Sequence, residues 1–288
     1  MKRRTWVAAH AACIAAAALA PPAWAQARLR IGLTAVMLAD QAAFLARWAA
    51  YLSDRLQAGI SFATRDQYQP LHDMLGAGQI DALWTCGYPY VRFQSRLRLL
   101  AVPVYRGQPT YQSYLIRPAG VGSRIGGYAD LRGKVFAYSD PLSNSGWLVA
   151  QGEFQTAGLV PSRDLKRTFF AHGHRNVAEA VAVELADAGS IDGYVWETMR
   201  LQGMTAALRT EVVWKSRLHG FPPLVMRADE ARPALEALRA TLIAMQGDAE
   251  GRALLAALNL DGFIAGQPSI FDSIHALALR VPDSGVSA

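Results

Sequence analysis

The stretch from Val135 to Phe154 reads VFAYSDPLSNSGWLVAQGEF. Val135 to Tyr138 is an apolar run of strand length, and Ser145 to Phe154 carries apolar residues at helical spacing. A strand therefore feeds a helix through the turn Ser139-Asp140-Pro141-Leu142-Ser143-Asn144-Ser145-Gly146. Strand, short polar turn and helix form the repeating unit of an α/β sheet. Ser143, Asn144 and Ser145 offer side-chain donors. The first N–H groups of a helix have no partner within it and lie at the positive end of its dipole, which suits a tetrahedral oxyanion. The same residues also make an ordinary turn and N-cap in any protein, and the local pattern does not separate the two.

Upstream, the unit repeats. Leu29 to Leu33 is a buried strand; Phe44, Leu45, Trp48, Leu52 and Leu56 form a helical stripe behind a cap at Asp40; Ile60 to Ala63 is a second strand. Pro70 opens a helix carrying Leu71, Met74 and Leu75, which ends near Gly76 and Gly78 before a strand at Ala82 to Thr85. Gln112 to Ile116 is extended and is followed by Pro118 and several glycines through Gly127, a crossover. Downstream, Thr168 to Phe170 is a strand, Val177 to Leu185 a helix and Gly193 to Val195 a strand. Thr210 to Trp214 and Pro222 to Met226 are return strands, and Leu235, Leu238, Leu242, Leu254, Leu255 and Leu258 line C-terminal amphipathic helices. The expected fold class is α/β with two lobes, residues 26–116 with 221–288 and residues 117–220. A two-stranded hinge joins them and a ligand cleft lies between.

Composition bounds the alternatives. The 288 residues are 52% hydrophobic and 18% charged, which excludes a disordered chain and suggests roughly two domains. Lys2, Arg3 and Arg4 precede an apolar stretch from Val7 to Leu19 broken only by His10, and Ala23-Trp24-Ala25 is an A-x-A site. This reads as a secretory signal peptide cleaved after Ala25. The apolar stretch falls short of the roughly 20 residues needed to span a bilayer. His10 takes the place of the usual Leu three residues before Cys13, which speaks against a lipoprotein. Residues 26–288 then hold 26 Lys and Arg against 23 Asp and Glu, a charge of +3 rather than +6, with no basic cluster for nucleic acid. Cys86 is left as the single cysteine in an oxidising compartment, so no internal disulfide forms.

Three further segments end strands. His172-Gly173-His174 follows one and opens a helix, so one or both rings face the cleft or pack in the core. A metal pair is the other reading, but no third ligand cluster stands nearby, and no metal or cofactor is expected. Trp84-Thr85-Cys86-Gly87-Tyr88-Pro89-Tyr90 lies at a strand's C-terminal end, where open α/β sheets bind ligands; Tyr88 and Cys86 either line the pocket or pack. Asp192, Trp196 and Glu197 close another strand, and a carboxylate there calls for a protonated ligand oxygen.

The ordered set Tyr68, Asp81-Ala82-Leu83-Trp84, Gly87-Tyr88-Pro89-Tyr90, Gly107 to Tyr114, Asp140 to Gly146, Gly173-His174, Ile191-Asp192 and Gly220-Phe221-Pro222-Pro223 resembles the periplasmic phosphate/phosphite/phosphonate-binding proteins of ABC transporters. The resemblance implies a type II periplasmic-binding-protein fold that closes on a small oxyanion and delivers it, as a monomer, to a membrane ABC permease. Position by position, Ser143, Asn144 and Ser145 look like the family's anion turn and His174 like its pocket histidine. Tyr68 and Tyr88 are placed like first-lobe pocket residues. Arg175, where many members carry an acid, and the aromatic Tyr194-Val195-Trp196-Glu197 depart from the pattern. The expected ligand-binding set is Tyr68, Cys86, Tyr88, Ser143, Asn144, Ser145, His174 and Glu197.

Other functional classes are weighed beside it. A thiol adds nothing to phosphate binding, and proteins similar to this family sense arsenite through a cysteine and signal to a membrane histidine kinase, which makes Cys86 the basis of an alternative. A Cys86–His174 thiol hydrolase would need an orienting Asn or Asp that the spacing does not supply, so no enzymatic activity is expected. An adaptor without any ligand is the third class.

Overall fold

The computed structural model describes residues 28–34, 42–120, 122 and 124–281. The signal segment, its cleavage site and the Asp40 cap lie outside these. Among the described residues no helix is long and apolar enough to cross a membrane.

Two sheets organise the chain. The first holds β1 (Arg28–Leu33), β2 (Gly59–Thr64), β3 (Ala82–Trp84) and β4 (Leu97–Val104). A two-residue pair follows, in which β5 (Thr110–Tyr111) meets the later β11 (His219–Gly220) in antiparallel register. The second sheet is β6 (Ser113–Pro118), β7 (Val135–Tyr138), β8 (Arg167–Phe170), β9 (Ala188–Asp192) and β10 (Thr210–Lys215). The chain then returns to the first sheet as β12 (Leu224–Arg227) and β13 (Gly262–Ile264).

The orders are β13-β4-β12-β3-β1-β2 and β10-β6-β9-β7-β8. In each sheet two consecutive parallel pairs are joined to the rest by one antiparallel strand, and that strand is the one the chain lays down on crossing: β6 beside β9 and β10, β12 beside β3 and β4. Each lobe thus contains a central strand that begins or ends at the hinge. The β5–β11 pair forms a separate two-stranded sheet beside the points where the chain passes from one sheet to the other. This is the two-lobed α/β architecture the sequence implied.

Local reasons for the elements are mostly visible. In β1, Leu29, Ile31 and Leu33 are buried, and the helix Ala42–Leu56 buries Trp48, Tyr51, Leu52 and Leu56 against the sheet. Trp48 meets Trp84 edge-on at 6.1 Å between ring centroids. Pro222 and Pro223 delay β12, since neither has an N–H to donate. Their carbonyls are used instead, accepting from Trp84 Nε1–H at 2.9 Å and from the Thr85 N–H at 2.9 Å.

Several expectations are corrected. Gly193 to Val195 is helical, within Gly193–Leu201, and the strand lies before it at Ala188–Asp192. Asp192 ends the strand and caps the helix, its Oδ1 accepting from the Val195 N–H at 3.3 Å, while Ala188, Gly189 and Ser190 are too small to give a strand signal. The helix expected at Val177 to Leu185 begins earlier, at His174–Ala182. Tyr68, not Pro70, opens the helix Tyr68–Gly76. Ser145 to Phe154 is two pieces, a π turn at Asn144–Leu148 and an α-helix at Val149–Thr156. β4 and β13 carry no expectation in the sequence reading.

Candidate functional site

Ser139 to Gly146 joins β7 to the π turn, and every residue from Ser143 to Gly146 is buried. Ser143 caps the turn, its Oγ accepting from the Gly146 N–H at 2.9 Å. That cap leaves the Ser143 hydroxyl hydrogen free to donate. Ser145 Oγ, Asn144 Oδ1 and Ser139 Oγ are buried and make no hydrogen bond. Stranding a buried polar atom costs on the order of 1–3 kcal/mol, so three together at one turn mark a place built for a polar guest.

His174 opens the next helix of the same lobe and is fully buried. Its Nδ1 accepts from the Asp192 backbone N–H at 3.1 Å. A backbone amide only donates, so Nδ1 is bare and Nε2 carries the ring hydrogen. Burial holds the imidazole pKa down to about 3, and the ring is a neutral donor at physiological pH. The Asp192 carboxyl is also fully buried. Its Oδ2 has no partner, and burial raises its pKa to about 8, which keeps it protonated and able to donate.

The first lobe supplies the opposite wall. Tyr68 starts its helix against the turn, its N–H reaching Asp140 Oδ2 at 3.2 Å and its hydroxyl lying 3.4 Å from His174 Nε2. Cys86 is buried, and its sulfur accepts from the Asn144 N–H at 3.2 Å and meets the Tyr111 hydroxyl at 3.8 Å. Burial pushes the thiol pKa up, so it is protonated rather than a thiolate. Tyr111, next to the hinge, also accepts from Asn144 Nδ2 at 3.0 Å. Tyr88 stacks on Trp147 with centroids 5.9 Å apart and planes at 25°. The lobes are closed on each other at this point.

Seven of the eight expected residues therefore lie where the two lobes meet, Tyr88 through its stack on Trp147. Glu197 does not join them. With 193–201 helical, it lies more than a full turn beyond Asp192, where it accepts from the Tyr114 hydroxyl at 2.7 Å and pairs with Arg106. His172 has a positive φ of 55° and is partly exposed, while its Nδ1 is buried without a hydrogen-bond partner. Among the described residues no group of three or more His, Cys, Asp or Glu is placed to hold a metal ion. Tyr111, Ser139 and the buried Asp192 carboxyl escaped the expected set. The only signal for Asp192 was its place at a strand end; Tyr111 and Ser139 had none beyond lying in quoted segments.

Chemically the place is donor-rich, and no Lys or Arg is among the described residues that form it. It offers neutral hydroxyl, amide, imidazole and carboxyl hydrogens around a helix N-terminus, and a bare acceptor in Asn144 Oδ1. Such a set recognises a small anion by directed hydrogen bonds, and the acceptor suits an anion that still carries a proton. A cleft of about 550 Å³ lined by His72, Phe93, Arg96 and Arg227 opens elsewhere on the first lobe. A smaller one of about 110 Å³, walled by Tyr105, Tyr111, Tyr114 and Tyr194, flanks the hinge.

Comparison with known proteins gives a consistent picture. A family model described as the periplasmic substrate-binding protein of the phosphonate ABC transporter matches residues 31–271. The phosphate-import protein PhnD of Mycolicibacterium smegmatis is 34% identical over 122 residues, which is 38% of this chain and only 36% of that relative's length. The binding-protein component of an ABC phosphonate transporter from Pseudomonas aeruginosa has a TM-score of 0.81 at 23% identity, covering 88% of this chain and 86% of its own. PhnD1 from Prochlorococcus marinus, solved with methylphosphonate, has a TM-score of 0.75 at 16% identity, covering 88% and 97%. At these identities the structural likeness carries the fold.

Proposed function

Because the chain belongs to the family of periplasmic substrate-binding proteins of phosphonate ABC transporters, we propose that it captures a small oxyanion of the phosphate, phosphite or phosphonate class between its lobes and hands it to a membrane permease. The observation that carries this is the gathering of Ser139 Oγ, Asn144 Oδ1, Ser145 Oγ and Asp192 Oδ2, all buried and without partners, at a helix N-terminus facing the other lobe. In this reading Ser143, Asn144, Ser145 and His174 hold the anion, and Tyr68, Tyr88 and Cys86 close over it. Export with cleavage after Ala25 belongs to the same reading.

Mechanism follows from the two walls. The anion docks on the second lobe, whose donors are held in place by their own lobe. Closure then brings the Tyr68 hydroxyl and the Cys86 wall against it, and the closed state gains only what these added contacts contribute. The protein performs no chemistry on its ligand: the thiol is protonated, and the buried neutral imidazole is committed through Nδ1 to a backbone amide, so neither is set up as nucleophile or base.

Titration calorimetry on ligand-stripped protein with phosphate, phosphite, methylphosphonate and arsenite tests the reading. Saturable binding of at least one phosphorus oxyanion is expected. Absence of binding by all three, or binding of arsenite alone, would overturn it.

A further inference from the structure

The π turn at Asn144–Leu148 is defined by the Leu148 N–H donating to the Ser143 carbonyl at 3.0 Å and the Val149 N–H donating to the Asn144 carbonyl. In an α-helical register the Val149 N–H would instead bond the Ser145 carbonyl, four residues back. The wider register deprives that carbonyl of its helical partner. It accepts instead from two strand hydroxyls of the sheet behind, Ser113 Oγ of β6 at 2.7 Å and Ser190 Oγ of β9 at 2.6 Å. The Tyr128 hydroxyl stands 3.2 Å from Ser190 Oγ. Since the Ser190 hydrogen is committed to the carbonyl, Tyr128 donates to Ser190, and the chain runs from Tyr128 through Ser190 to Ser145.

Ser113, Ser190 and Ser145 are wholly buried and Tyr128 nearly so. Neither Ser113 nor Ser190 contacts the first lobe through any of these bonds. Burying three hydroxyls under a sheet, where apolar side chains would pack without polar cost, is explained by what they hold. π turns are rare and concentrate at functional sites.

From this geometry we infer that Ser113 and Ser190, with Tyr128 behind them, are positioning residues for the anion site: by holding the Ser145 carbonyl they keep the turn in its π register and so aim Asn144 and Ser145 at the ligand. The inference rests on the proposed oxyanion function and adds residues to it that never touch the ligand.

Ser190→Thr adds a methyl group and keeps the hydroxyl, whereas Ser190→Val adds that methyl and puts a second one in place of the hydroxyl, so the two variants differ in hydroxyl against methyl; the same pair is available at position 113. Affinity for methylphosphonate and for inorganic phosphate is measured by calorimetry at a temperature where every variant is folded. At either position the Val variant is expected to bind at least about tenfold more weakly than the Thr variant, and Tyr128→Phe about threefold more weakly than wild type. A hydroxyl that merely stabilised the lobe would leave the affinity of folded protein unmoved. Val and Thr variants that bind within threefold of each other at both positions would overturn the inference. If the added methyl prevents folding, Ser113→Ala combined with Ser190→Ala is read instead, and wild-type affinity in that variant overturns it. Wild-type protein that binds neither anion removes the oxyanion reading itself, a result separable from the others.

Discussion

The two walls of the cleft are built differently. On the second lobe the turn Ser143 to Gly146 is tied into its own lobe, through the Ser143 cap, the Ser145 carbonyl on Ser113 and Ser190, and the His174 ring on the Asp192 amide. On the first lobe the polar ends face outward, and their bonds cross the gap: the Tyr68 hydroxyl toward His174, the Tyr68 N–H to Asp140 and the Cys86 sulfur to the Asn144 N–H. A wall braced from behind keeps its shape when the lobes part, whereas one whose bonds are made across the gap gains them only on closure. Recognition should therefore reside in the second lobe and closure in the first.

The hardest strike at this asymmetry compares two glycines. A Cβ on Gly146 would stand 1.8 Å from Ser139 Oγ and 2.6 Å from Ser139 Cβ, inside the braced wall. A Cβ on Gly87 would stand 2.4 Å from Ile274 Cδ1, the end of a flexible side chain, in the first lobe's packing. Gly146→Ala is expected to weaken the oxyanion by on the order of 100-fold, about 2.7 kcal/mol. Gly87→Ala is expected to lower stability by about 1–3 kcal/mol, as overpacking does, with affinity in the folded protein changed by less than about tenfold. Calorimetry and thermal unfolding on both variants separate the two, and equal affinity losses would erase the asymmetry.

Single hydroxyls give the next test. Ser143→Ala and Ser145→Ala each remove a donor from the braced wall and are expected to lose about 1.5–3 kcal/mol of binding, the range for hydrogen bonds to charged groups. Tyr68→Phe removes a donor from the closing wall and should lose less, about 0.5–1.5 kcal/mol. A larger loss for Tyr68→Phe than for either serine would put recognition in the first lobe.

Much of this was legible in the sequence because its signals are local. VFAYSDPLSNSGW places a strand, a polar turn and a helix start in order, and apolar spacing located the helices through Trp48 and Leu238. The misreadings share a cause. The spacing predicts a strand at Gly193 to Val195, where the chain is helical, because the strand before it, Ala188–Asp192, opens with small residues whose burial is created by neighbouring strands. The brace formed by Ser113, Ser190 and Tyr128 joins residues 62 and 77 positions apart, and no spacing rule anticipates such a pairing. Glu197 is a pocket acid only if its segment is extended, and the helix Gly193–Leu201 carries it away from Asp192.

The braced wall should also shape the pH dependence of folding. The Asp192 pKa is raised to about 8 from 3.8, so the stability it contributes is complete below about pH 4 and is lost as pH rises toward 8. Burial moves Asp140 in the same direction. His174 and His72 are lowered to about 3 and His219 to about 4, so their contribution is complete above 6.5 and is lost as pH falls. Below 6.5 three histidines outweigh Asp192; between 6.5 and 8 Asp192 acts without them. Stability of the ligand-free protein should peak near pH 6.5 and fall on the alkaline side by at most about 1.4 kcal/mol per pH unit. Asp192→Asn keeps a neutral cap and should flatten that limb. Denaturant unfolding from pH 5 to 9 checks this, and an unchanged limb in the variant would deny Asp192 its buried proton.

The smallest effect is expected at Cys86, on the closing wall. Its sulfur accepts from the Asn144 N–H at 3.2 Å, lies 3.8 Å from the Tyr111 hydroxyl and is also reached by the Tyr88 backbone N–H, all weak contacts for a thiol. Serine offers a stronger acceptor on a shorter bond to the same neighbours, so Cys86→Ser exchanges one weak acceptor for a stronger one in a smaller volume. Affinity for a phosphorus oxyanion should stay within about threefold of wild type, since no charge and no net hydrogen bond is lost. A loss of tenfold or more would mean that the thiol itself meets the ligand. The first lobe would then contribute recognition as well as closure, and a soft, thiol-seeking ligand would regain its claim on the site.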